Sequence, residues 1–345
     1  MRTIPLIHCF DRNYVMPAAV CFQTLLENAK SKDTIYSLRV VGDLAEPDEK
    51  FLRQIVEKFP NGEIAFRKPA ALGLDDSALP AKSHFSLDLY NKLALPELFP
   101  EFDKAIVADV DVIYLDDIAK AFDFFDFDDD NLLGGVWDLG YAAYHKEALF
   151  PTGRPFIKKY SRNWTNEELD LLKIGAGFVV YNMSALRNGA YAKKWIDFAK
   201  KNSYRALLPE QEAYNIVCKE KIKLLPLRFM AVAEHYSRYT AMSEAEKTAN
   251  PAWGEMFGEM VQLHYASKIK PWKYPSSPCA DLWFAACARA GAIEAWRKFY
   301  ATFSASMSEE SLEKKVFEMR MGRFHLKLSK ERKPREKMFS SGGKA

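Results

Sequence analysis

The chain has 345 residues, of which 48% are hydrophobic and 28% are charged, and its formal net charge is +3. This composition is typical of a folded globular protein and excludes a disordered or fibrous one. The sequence contains no run of 18 or more uncharged apolar residues, so we expect no membrane-spanning helix.

The first third of the chain alternates strand and helix patterns. The predicted elements are residues 3–10 (strand), 14–29 (helix), 36–41 (strand), 47–59 (helix), 63–66 (strand), 87–98 (helix) and 104–116 (strand), with a loop at 69–83. This rhythm predicts an α/β fold in which a parallel sheet carries helices on both faces. In such a sheet, ligands bind beyond the carboxyl ends of the strands.

The rest of the chain is less regular. We predict strands at 132–137, 178–181 and 261–264, helices at 190–200 and 209–219, a loop-rich insertion around Pro151, a flexible covering loop at 234–260, and helix from 281 onward. The sequence contains no GxGxxG fingerprint, which argues against a dinucleotide-binding enzyme.

The cysteines and the N-terminus indicate the cellular compartment. The five cysteines are scattered and form no Cys-x-x-Cys pair, so we expect reduced thiols rather than disulfides or a zinc site. The first residues lack the long apolar region of a signal peptide. We therefore expect a cytoplasmic protein.

Asp109 and Asp111, separated by Val110, lie in the apolar run 104–116. Residues two apart share one face of a strand, and two like charges there need a cationic partner. Carboxylate oxygens favour a hard divalent ion such as Mg²⁺ or Mn²⁺. The alternative is a strand end with two solvated carboxylates.

The segment His264–Trp272 (HYASKIKPW) follows a short apolar stretch. A neutral imidazole at a strand end can act as a third ligand to a metal held by Asp109 and Asp111. Lys270 offers a cation for a phosphate group. The alternative is a surface histidine and a solvated lysine.

Several segments together carry a family resemblance. They are Phe10–Tyr14, Ser86–Leu98, Phe102–Leu115 with its Asp-x-Asp, Gly175–Asn182, Glu210–Glu212, Leu225–Arg228 and His264–Trp272. In this order and spacing, the chain resembles the bacterial glycosyltransferases of family 8, which include retaining lipooligosaccharide galactosyltransferases and glucosyltransferases. The resemblance runs through about residues 3–275.

The resemblance implies a GT-A type fold at residues 1–278, in which a Rossmann-like mixed sheet is flanked by helices. From the sequence itself we predict a helical, basic C-terminal appendage at 279–345. It also implies a UDP-sugar donor bound through Mn²⁺, with Mg²⁺ as an alternative. The metal ligands would be Asp109, Asp111 and His264. The other implied donor-site residues are Cys9, Asp11, Asn13 and Tyr14 at the nucleoside, Lys270 at the diphosphate, Asp138 at the sugar hydroxyls, Gln211 beside the anomeric carbon, and Lys92, Val110 and Ser267.

Some positions depart from the family pattern. The residues that differ are Gly175 in place of Asn, Lys92 in place of Arg, Ser267 in place of Gly, and Glu210 and Glu212 in place of Asp. These changes surround the sugar rather than the metal or the uracil, so they concern which hexose is carried. Gln211 is a poor nucleophile, so we expect front-face attack by the acceptor, with Gln211 as an electrostatic stabiliser. The alternative for Gln211 is an exposed amide at a helix start.

Residues 314–345 contain eleven Lys and Arg against three Glu, which makes the tail basic and the body mildly acidic. Phe317, Met321, Phe324 and Leu328 form one apolar helical stripe among these charges. The pattern predicts a helix on an anionic membrane surface, near a glycolipid acceptor. The alternative is that the stripe packs on the catalytic domain.

Three functions are compatible with the sequence. The first is transfer of galactose or glucose to a cell-surface glycan such as lipopolysaccharide or capsule, at the inner face of the membrane. The second is a metal-dependent nucleotide-sugar hydrolase. The third is a lipid- or nucleic-acid-binding module that acts through the tail, although we expect no nucleic-acid partner for the transferase.

Overall fold

The computed structural model of the protein describes residues 2–72, 90–126, 130–138, 162–249 and 251–306. By their contacts, Met1–Ala301 form one compact unit and Thr302–Ala345 another. The predicted functional division at residue 278 stays a prediction. Within the described residues, no helix is both long enough and apolar enough to cross a membrane.

The strands of the described residues form two sheets. They are β1 (Arg2–Cys9), β2 (Thr34–Val41), β3 (Gly62–Arg67), β4 (Lys104–Ala108), β5 (Val112–Tyr114), β6 (Leu133–Trp137), β7 (Ile174–Asn182), β8 (Ile222–Leu224), β9 (Ala231–Val232) and β10 (Gln262–His264). The large sheet has the order β3-β2-β1-β4-β7-β6-β8, and the small sheet has the order β5-β10-β9.

The large sheet is mixed. Strands β3, β2, β1 and β4 are parallel, as the alternating first third predicts, while β7 runs antiparallel to both β4 and β6. Every residue of β7 is buried, which suits a strand at the centre of a sheet covered on both faces. The amino end of β7 therefore lies beside the carboxyl ends of β1 and β4. Ligands bind beyond the carboxyl ends of the parallel strands in such folds.

Helices cover the sheets. They are α1 (Val15–Glu27), α2 (Glu46–Val56), α3 (Asn91–Leu98), α4 (Ala119–Phe124), α5 (Asn166–Leu171), α6 (Met183–Asn188), α7 (Tyr191–Asn202), α8 (Pro209–Cys218), α9 (Ala233–Thr240), α10 (Glu244–Ala249), α11 (Pro251–Gly258), α12 (Ala280–Arg289) and α13 (Ile293–Ala305). The helices α1, α2, α3, α7, α8, α12 and α13 match predicted helical stretches. The short elements α4, α5, α6, β8 and β9 were not predicted.

The prediction of a flexible loop at 234–260 is wrong, because α9, α10 and α11 occupy this stretch. Trp253, Met256 and Phe257 are buried, at the i, i+3, i+4 spacing of an apolar helical face. Pro251 is the first residue of its helix, where proline is well tolerated. Proline and glycine therefore do not break the structure here.

Some predicted elements fall outside the described residues. They are most of the loop at 69–83, the start of the helix at 87–98, the insertion around Pro151, and the basic helix of the tail.

The predicted strand 104–116 is interrupted at Asp109-Val110-Asp111, where the chain passes from one sheet to the other. The Asp109 N–H donates to Gly177 O (3.1 Å) in the large sheet, and the Tyr265 N–H donates to Asp111 O (2.9 Å) beside the small one. In the small sheet, His264 is paired with Val112. The two aspartates therefore lie at a junction rather than within a strand.

Candidate active site

Asp109, Asp111 and His264 meet at this junction. His264 Nε2 lies 3.1 Å from Asp111 Oδ1 and 3.7 Å from Asp109 Oδ2. One ligand atom from each residue lies within 4.8 Å of the other two. Asp111 and His264 are buried and Asp109 is half-buried. The three residues predicted from the sequence as metal ligands are thus close enough together to hold one ion.

The chemistry of these side chains fits a divalent metal. Two carboxylates and one imidazole suit a cation such as Mn²⁺, which accepts both oxygen and nitrogen ligands. Gly177 makes room for the imidazole, because a Cβ at this position would lie 2.6 Å from His264 Cε1. Gly177 belongs to the segment Gly175–Asn182 that carries the family resemblance, but its contact with His264 was not predicted, since it joins strands far apart in the chain.

Two buried lysines contact the aspartates. Lys270 Nζ lies 2.5 Å from Asp111 Oδ2 and donates to Tyr265 O at 2.6 Å. Lys92 Nζ lies 2.5 Å from Asp109 Oδ1 and 3.2 Å from Ala176 O. Each lysine thus forms an ion pair with one aspartate, and the predicted diphosphate contact of Lys270 would be made right beside the metal ligands.

The ion pairs shift the pKa values of Asp111, Lys92 and His264. Burial alone would raise the pKa of Asp111, but the charges of Lys270 and His264 outweigh burial and hold it far below its usual range. Burial alone would lower the pKa of Lys92, but the charges of Asp109 and Glu210 outweigh burial and raise it. The pKa of His264 is raised in the same way by Asp111 against the effect of burial. Asp111 and Lys92 are therefore both charged.

Gln211 and Asp138 lie together beside the amino end of β7. Gln211 Oε1 accepts a hydrogen bond from the Ala176 N–H (3.0 Å), and Gln211 Nε2 donates to Asp138 Oδ2 (3.3 Å). Gln211 is only 6% exposed, so the alternative of an exposed amide at a helix start is wrong. The two bonds fix the orientation of the amide, which is what a stabilising group needs.

The glutamates on either side of Gln211 have different surroundings. Glu212 is fully buried, and its Oε1 accepts hydrogen bonds from the backbone N–H groups of Leu207 and Leu208 (2.8 and 3.2 Å). Burial raises the pKa of Glu210, although the charge of Lys92 opposes this. Among the described residues, Glu210 Oε2 has no hydrogen-bond partner. Glu212 therefore holds the turn before α8, while Glu210 is a polar group of the site that the sequence reasoning gave no role.

Met230 is a second residue that the sequence reasoning missed. Its sulfur lies 3.3 Å from the position of a Cβ on Gly177, and its methyl group lies 2.9 Å from that of a Cβ on Gly175. The space that an asparagine at 175 would need is thus filled by a methionine side chain. A methionine in an irregular segment gives no sequence signal for such a position.

The predicted nucleoside-binding residues follow β1. Ile7 pairs with Val107, so Cys9 lies level with Asp109 at the carboxyl ends of β1 and β4. Asp11 accepts hydrogen bonds from the backbone N–H of Asn13 (2.8 Å) and from Asn13 Nδ2 (3.2 Å). Burial, followed by the charges of Asp111 and Asp109, raises the pKa of Tyr14. Tyr14 therefore lies near the aspartates.

The last two predicted donor-site residues have mainly local contacts. The Ser267 hydroxyl accepts a hydrogen bond from the Ile269 N–H (3.0 Å), which shapes the turn before Lys270. Val110 is buried in the hydrophobic core between the two aspartates. The donor-binding roles of both residues stay predictions.

The structure has the fold of GT-A type glycosyltransferases, with the cluster of Asp109, Asp111 and His264 at the carboxyl ends of its parallel strands. The structure is similar to LgtC, a galactosyltransferase solved with donor and acceptor sugar analogues, at 18% identity and a TM-score of 0.61, over 84% of this chain and 95% of LgtC. It is also similar to the bifunctional glycosyltransferase WbbM, at 20% identity and a TM-score of 0.62, over 83% of this chain. The match spans 50% of WbbM. At these identities the likeness shows the fold.

The chain belongs to glycosyl transferase family 8, whose family model matches residues 5–276. A third similar structure is GlyE from Streptococcus pneumoniae, at 15% identity and a TM-score of 0.57, over 82% of this chain and 60% of GlyE. Among curated proteins, none matches the chain in sequence. The family and the fold class predicted from the sequence are thus confirmed, and family membership implies a nucleotide-sugar donor and a glycan acceptor.

Proposed function

We propose that this protein transfers galactose or glucose from a UDP-sugar to a cell-surface glycan or glycolipid, with retention at the anomeric carbon and with Mn²⁺ as the metal. The observation that carries the proposal is the group of Asp109, Asp111 and His264 beside the buried cations Lys92 and Lys270. Mg²⁺ is the alternative metal.

The charges of this group favour a metal together with a diphosphate. Lys92 and Lys270 balance the two aspartates in the protein itself. A divalent cation held by Asp109, Asp111 and His264 would offset the charge that develops on a leaving diphosphate. The group would then carry an excess of positive charge, and a buried excess of this kind needs an anionic partner. A nucleoside diphosphate supplies that negative charge.

The chain's own residues support front-face transfer. The bond from the anomeric carbon to the diphosphate oxygen breaks, the acceptor oxygen bonds to the same face, and the acceptor proton passes to the leaving phosphate. Lys270 would donate a hydrogen bond to that phosphate. Gln211, oriented by Ala176 and Asp138, would stabilise the positive charge on the sugar. Glu212 accepts hydrogen bonds from two backbone N–H groups before α8, and we therefore propose no nucleophilic role for it.

The nucleoside would bind at the end of β1. Asp11 and Asn13 are held together there by their mutual hydrogen bonds. The ring of Tyr14 lies 6.0 Å from the ring of Trp272, so it lines the path from β1 to the segment that carries Lys270. Cys9 would meet the base through its backbone. This arrangement would leave the sugar beside Asp138 and Gln211.

The enzyme would work in the cytoplasm, peripherally at the inner face of the cell membrane. The reason is the basic, apolar-striped sequence of residues 314–330, which lies outside the described residues. Deletion of residues 312–345 is expected to retain UDP-sugar binding and to lower attachment to vesicles of anionic lipid. Loss of UDP-sugar binding in the deletion would favour the alternative of a binding module that acts through the tail.

The main test is a panel of UDP-sugars assayed with Mn²⁺, Mg²⁺ or EDTA, with UDP release and free sugar both measured. We expect Mn²⁺-dependent turnover of UDP-galactose or UDP-glucose. Turnover or binding of no UDP-sugar would contradict the proposal. Release of free sugar at a rate indifferent to added acceptor would instead favour a nucleotide-sugar hydrolase.

A pair of variants tests the metal group. Asp111→Asn is expected to lower Mn²⁺-dependent turnover by about 10²–10³-fold, because it removes a charge at the diphosphate site. The matched control is Asp116→Asn, since Asp116 follows the same chain segment but pairs with Lys30 and Lys120 at the surface. The control is expected to keep its turnover. Equal turnover in both variants would count against a metal at Asp111.

A further inference from the structure

Helices α12 and α13 follow the part of the chain that the family model matches. A turn through Gly291, whose φ is +72°, joins them into a helical hairpin. We propose that this hairpin positions the segment 265–274, which carries Lys270, and that Trp296 is a positioning residue for donor binding. The proposal rests on the function proposed above, because it assigns donor phosphates to Lys270.

Two hydrogen bonds tie the segment to residues beyond the family match. Trp296 Nε1 donates to Trp272 O (3.1 Å), and the Tyr265 hydroxyl donates to Cys279 O (2.8 Å). These bonds hold the segment at both of its ends. Trp296 is half-buried and Tyr265 is buried, so both bonds are shielded from full competition with water.

Aromatic rings also connect the hairpin to Tyr14, one of the predicted nucleoside-binding residues. The Trp272 ring lies 5.5 Å from Trp283 and 6.0 Å from Tyr14. Phe284, next to Trp283, lies 4.7 Å from Trp296. Trp272 is therefore held between the hairpin and the residue predicted to contact the nucleoside, and ring pairs at these distances are favourable beyond their burial.

Backbone hydrogen bonds place Trp272 and Lys270 in one turn, so the contacts that hold Trp272 also restrain the position of Lys270. The N–H groups of Lys273 and Tyr274 both donate to Lys270 O (3.0 and 2.8 Å), so Trp272 lies within one tight turn that starts at Lys270. Lys270 Nζ in turn contacts Asp111 Oδ2 at 2.5 Å. A shift of Trp272 would therefore change where the ammonium group of Lys270 lies.

The test uses Trp296→Phe in the full chain, which keeps a ring but removes the indole N–H. The matched control is Phe299→Leu, a loss of packing at a half-buried position on the same helix. Hydrogen exchange of the 266–277 amides is measured without ligand. We expect about tenfold faster exchange in Trp296→Phe than in the control, which corresponds to a typical net hydrogen bond.

Binding and kinetics provide the second measurement. Titration with UDP and Mn²⁺ is expected to show about 5–10-fold weaker binding for Trp296→Phe. The KM for the UDP-sugar should rise by a similar factor, with kcat changed less than about twofold, because chemistry at a filled site does not involve Trp296. Tyr265→Phe, which removes the other bond, is expected to shift exchange and binding in the same direction.

The outcomes separate the two proposals. Equal exchange in the 266–277 amides of Trp296→Phe and Phe299→Leu would overturn the positioning role. Faster exchange with unchanged UDP affinity would also overturn it, because the segment would then be held without affecting the donor. Failure of the wild type to bind UDP with Mn²⁺ would overturn the proposed function, and with it the donor-binding part of this inference, while the exchange comparison would still test the contact.

Discussion

The ammonium nitrogen of Lys92 lies 2.5 Å from Asp109 Oδ1, in a pair whose lysine side chain is 4% exposed and whose aspartate side chain is 30% exposed. Lys270 contacts Asp111 at the same distance. The protein thus neutralises its own candidate metal ligands. A cation at this site must share each carboxylate with a lysine, so its affinity should depend on both lysines.

Replacement of Lys92 should change how the protein responds to metal. In Lys92→Met, Asp109 loses its cationic partner, and we expect a loss of about 1–3 kcal/mol in the free energy of unfolding. Added Mn²⁺ should restore part of this loss, because a ligand that binds only the native state stabilises it. Thermal unfolding with and without Mn²⁺ measures both effects. The Mn²⁺-induced rise in melting temperature should be larger for Lys92→Met than for the wild type.

The control for this prediction is Lys193→Met, because Lys193 pairs with Asp197 on the exposed face of a surface helix. Such pairs contribute little to stability. The control should unfold like the wild type with and without Mn²⁺. An Mn²⁺-induced rise that is the same in Lys92→Met and in the wild type would show that Lys92 and the metal do not compete for Asp109.

Gly177→Ala should weaken metal binding. The new Cβ would lie 2.6 Å from His264 Cε1 and 2.8 Å from His264 Nδ1, so the imidazole would have to move. Mutation of a neighbour that orients a metal-ligating residue typically costs about 10–100-fold in metal affinity. Calorimetric titration with Mn²⁺ in the presence of UDP measures the loss.

Gly254→Ala is the matched control for Gly177→Ala. It makes the same change in α11, where a Cβ meets nothing within 4 Å. We expect unchanged Mn²⁺ affinity and a small gain in stability, since alanine favours a helix by about 0.5–1 kcal/mol over glycine. Wild-type Mn²⁺ affinity in Gly177→Ala would argue against His264 as a ligand.

Gln211→Ala should lower the rate of transfer rather than the affinity for the nucleotide. The amide is held by hydrogen bonds with Ala176 and Asp138, where we propose that the sugar binds. Loss of an oriented stabilising group typically costs about 10²–10³-fold in kcat. The dissociation constant for UDP should stay within about twofold, because Gln211 is proposed to contact the sugar. Initial rates and UDP titration provide the two numbers.

The control is Gln23→Ala, a buried glutamine on α1 whose side chain donates to Glu27. It is expected to keep the wild-type kcat. Undiminished transfer by Gln211→Ala would remove the proposed role of this residue.

His8 should make stability fall in mild acid. Its side chain is fully buried on β1 in contact with Phe22, its Nδ1 lies 2.9 Å from Ala108 O, and burial lowers its pKa to about 4. The unfolded chain has an ordinary histidine pKa of about 6.5. Between pH 6.5 and about pH 4, His8 is protonated in the unfolded chain but neutral in the folded protein. The free energy of unfolding therefore falls as the pH falls.

The expected contribution of His8 is about 1.4 kcal/mol per pH unit across this window, or about 3 kcal/mol in total, with no contribution above pH 6.5. Denaturant unfolding at several pH values from 4 to 7.5 measures the slope for the wild type and for His8→Phe. The variant should show a shallower fall. Equal slopes would show that His8 does not titrate on unfolding.

Much of the fold was predictable because its signals are local. The apolar runs of β1, β2 and β4 and the helices between them gave a parallel core, and the family motifs supplied the mixed sheet. The helices at 233–258 were missed because Pro251 and Gly254 resemble loop residues in isolation. Their apolar face is evident only once Trp253 and Phe257 are seen to be buried.

The proximity of Asp109, Asp111 and His264 was predictable from motif and order, whereas the contacts of these candidate metal ligands with other residues were not. The contact between Gly177 and His264 joins strands of different sheets, and the contact between Lys92 and Asp109 joins a helix to a strand end. Met230 fills space beside Gly175 through tertiary packing alone. Sequence patterns report periodicity along the chain, so contacts of this kind become visible only in three dimensions.

The shortness of β10 has a consequence for how this site can change over time. His264 reaches the aspartates only because Gln262, Leu263 and His264 pair with Tyr114, Ile113 and Val112 in one register. A slip of one residue would turn the imidazole to the opposite face of the strand. Insertions can accumulate in the long connection between β5 and β10, but a shift within these three pairs would remove a candidate metal ligand without altering any side chain. The pairing itself is therefore as much a target of selection as the histidine.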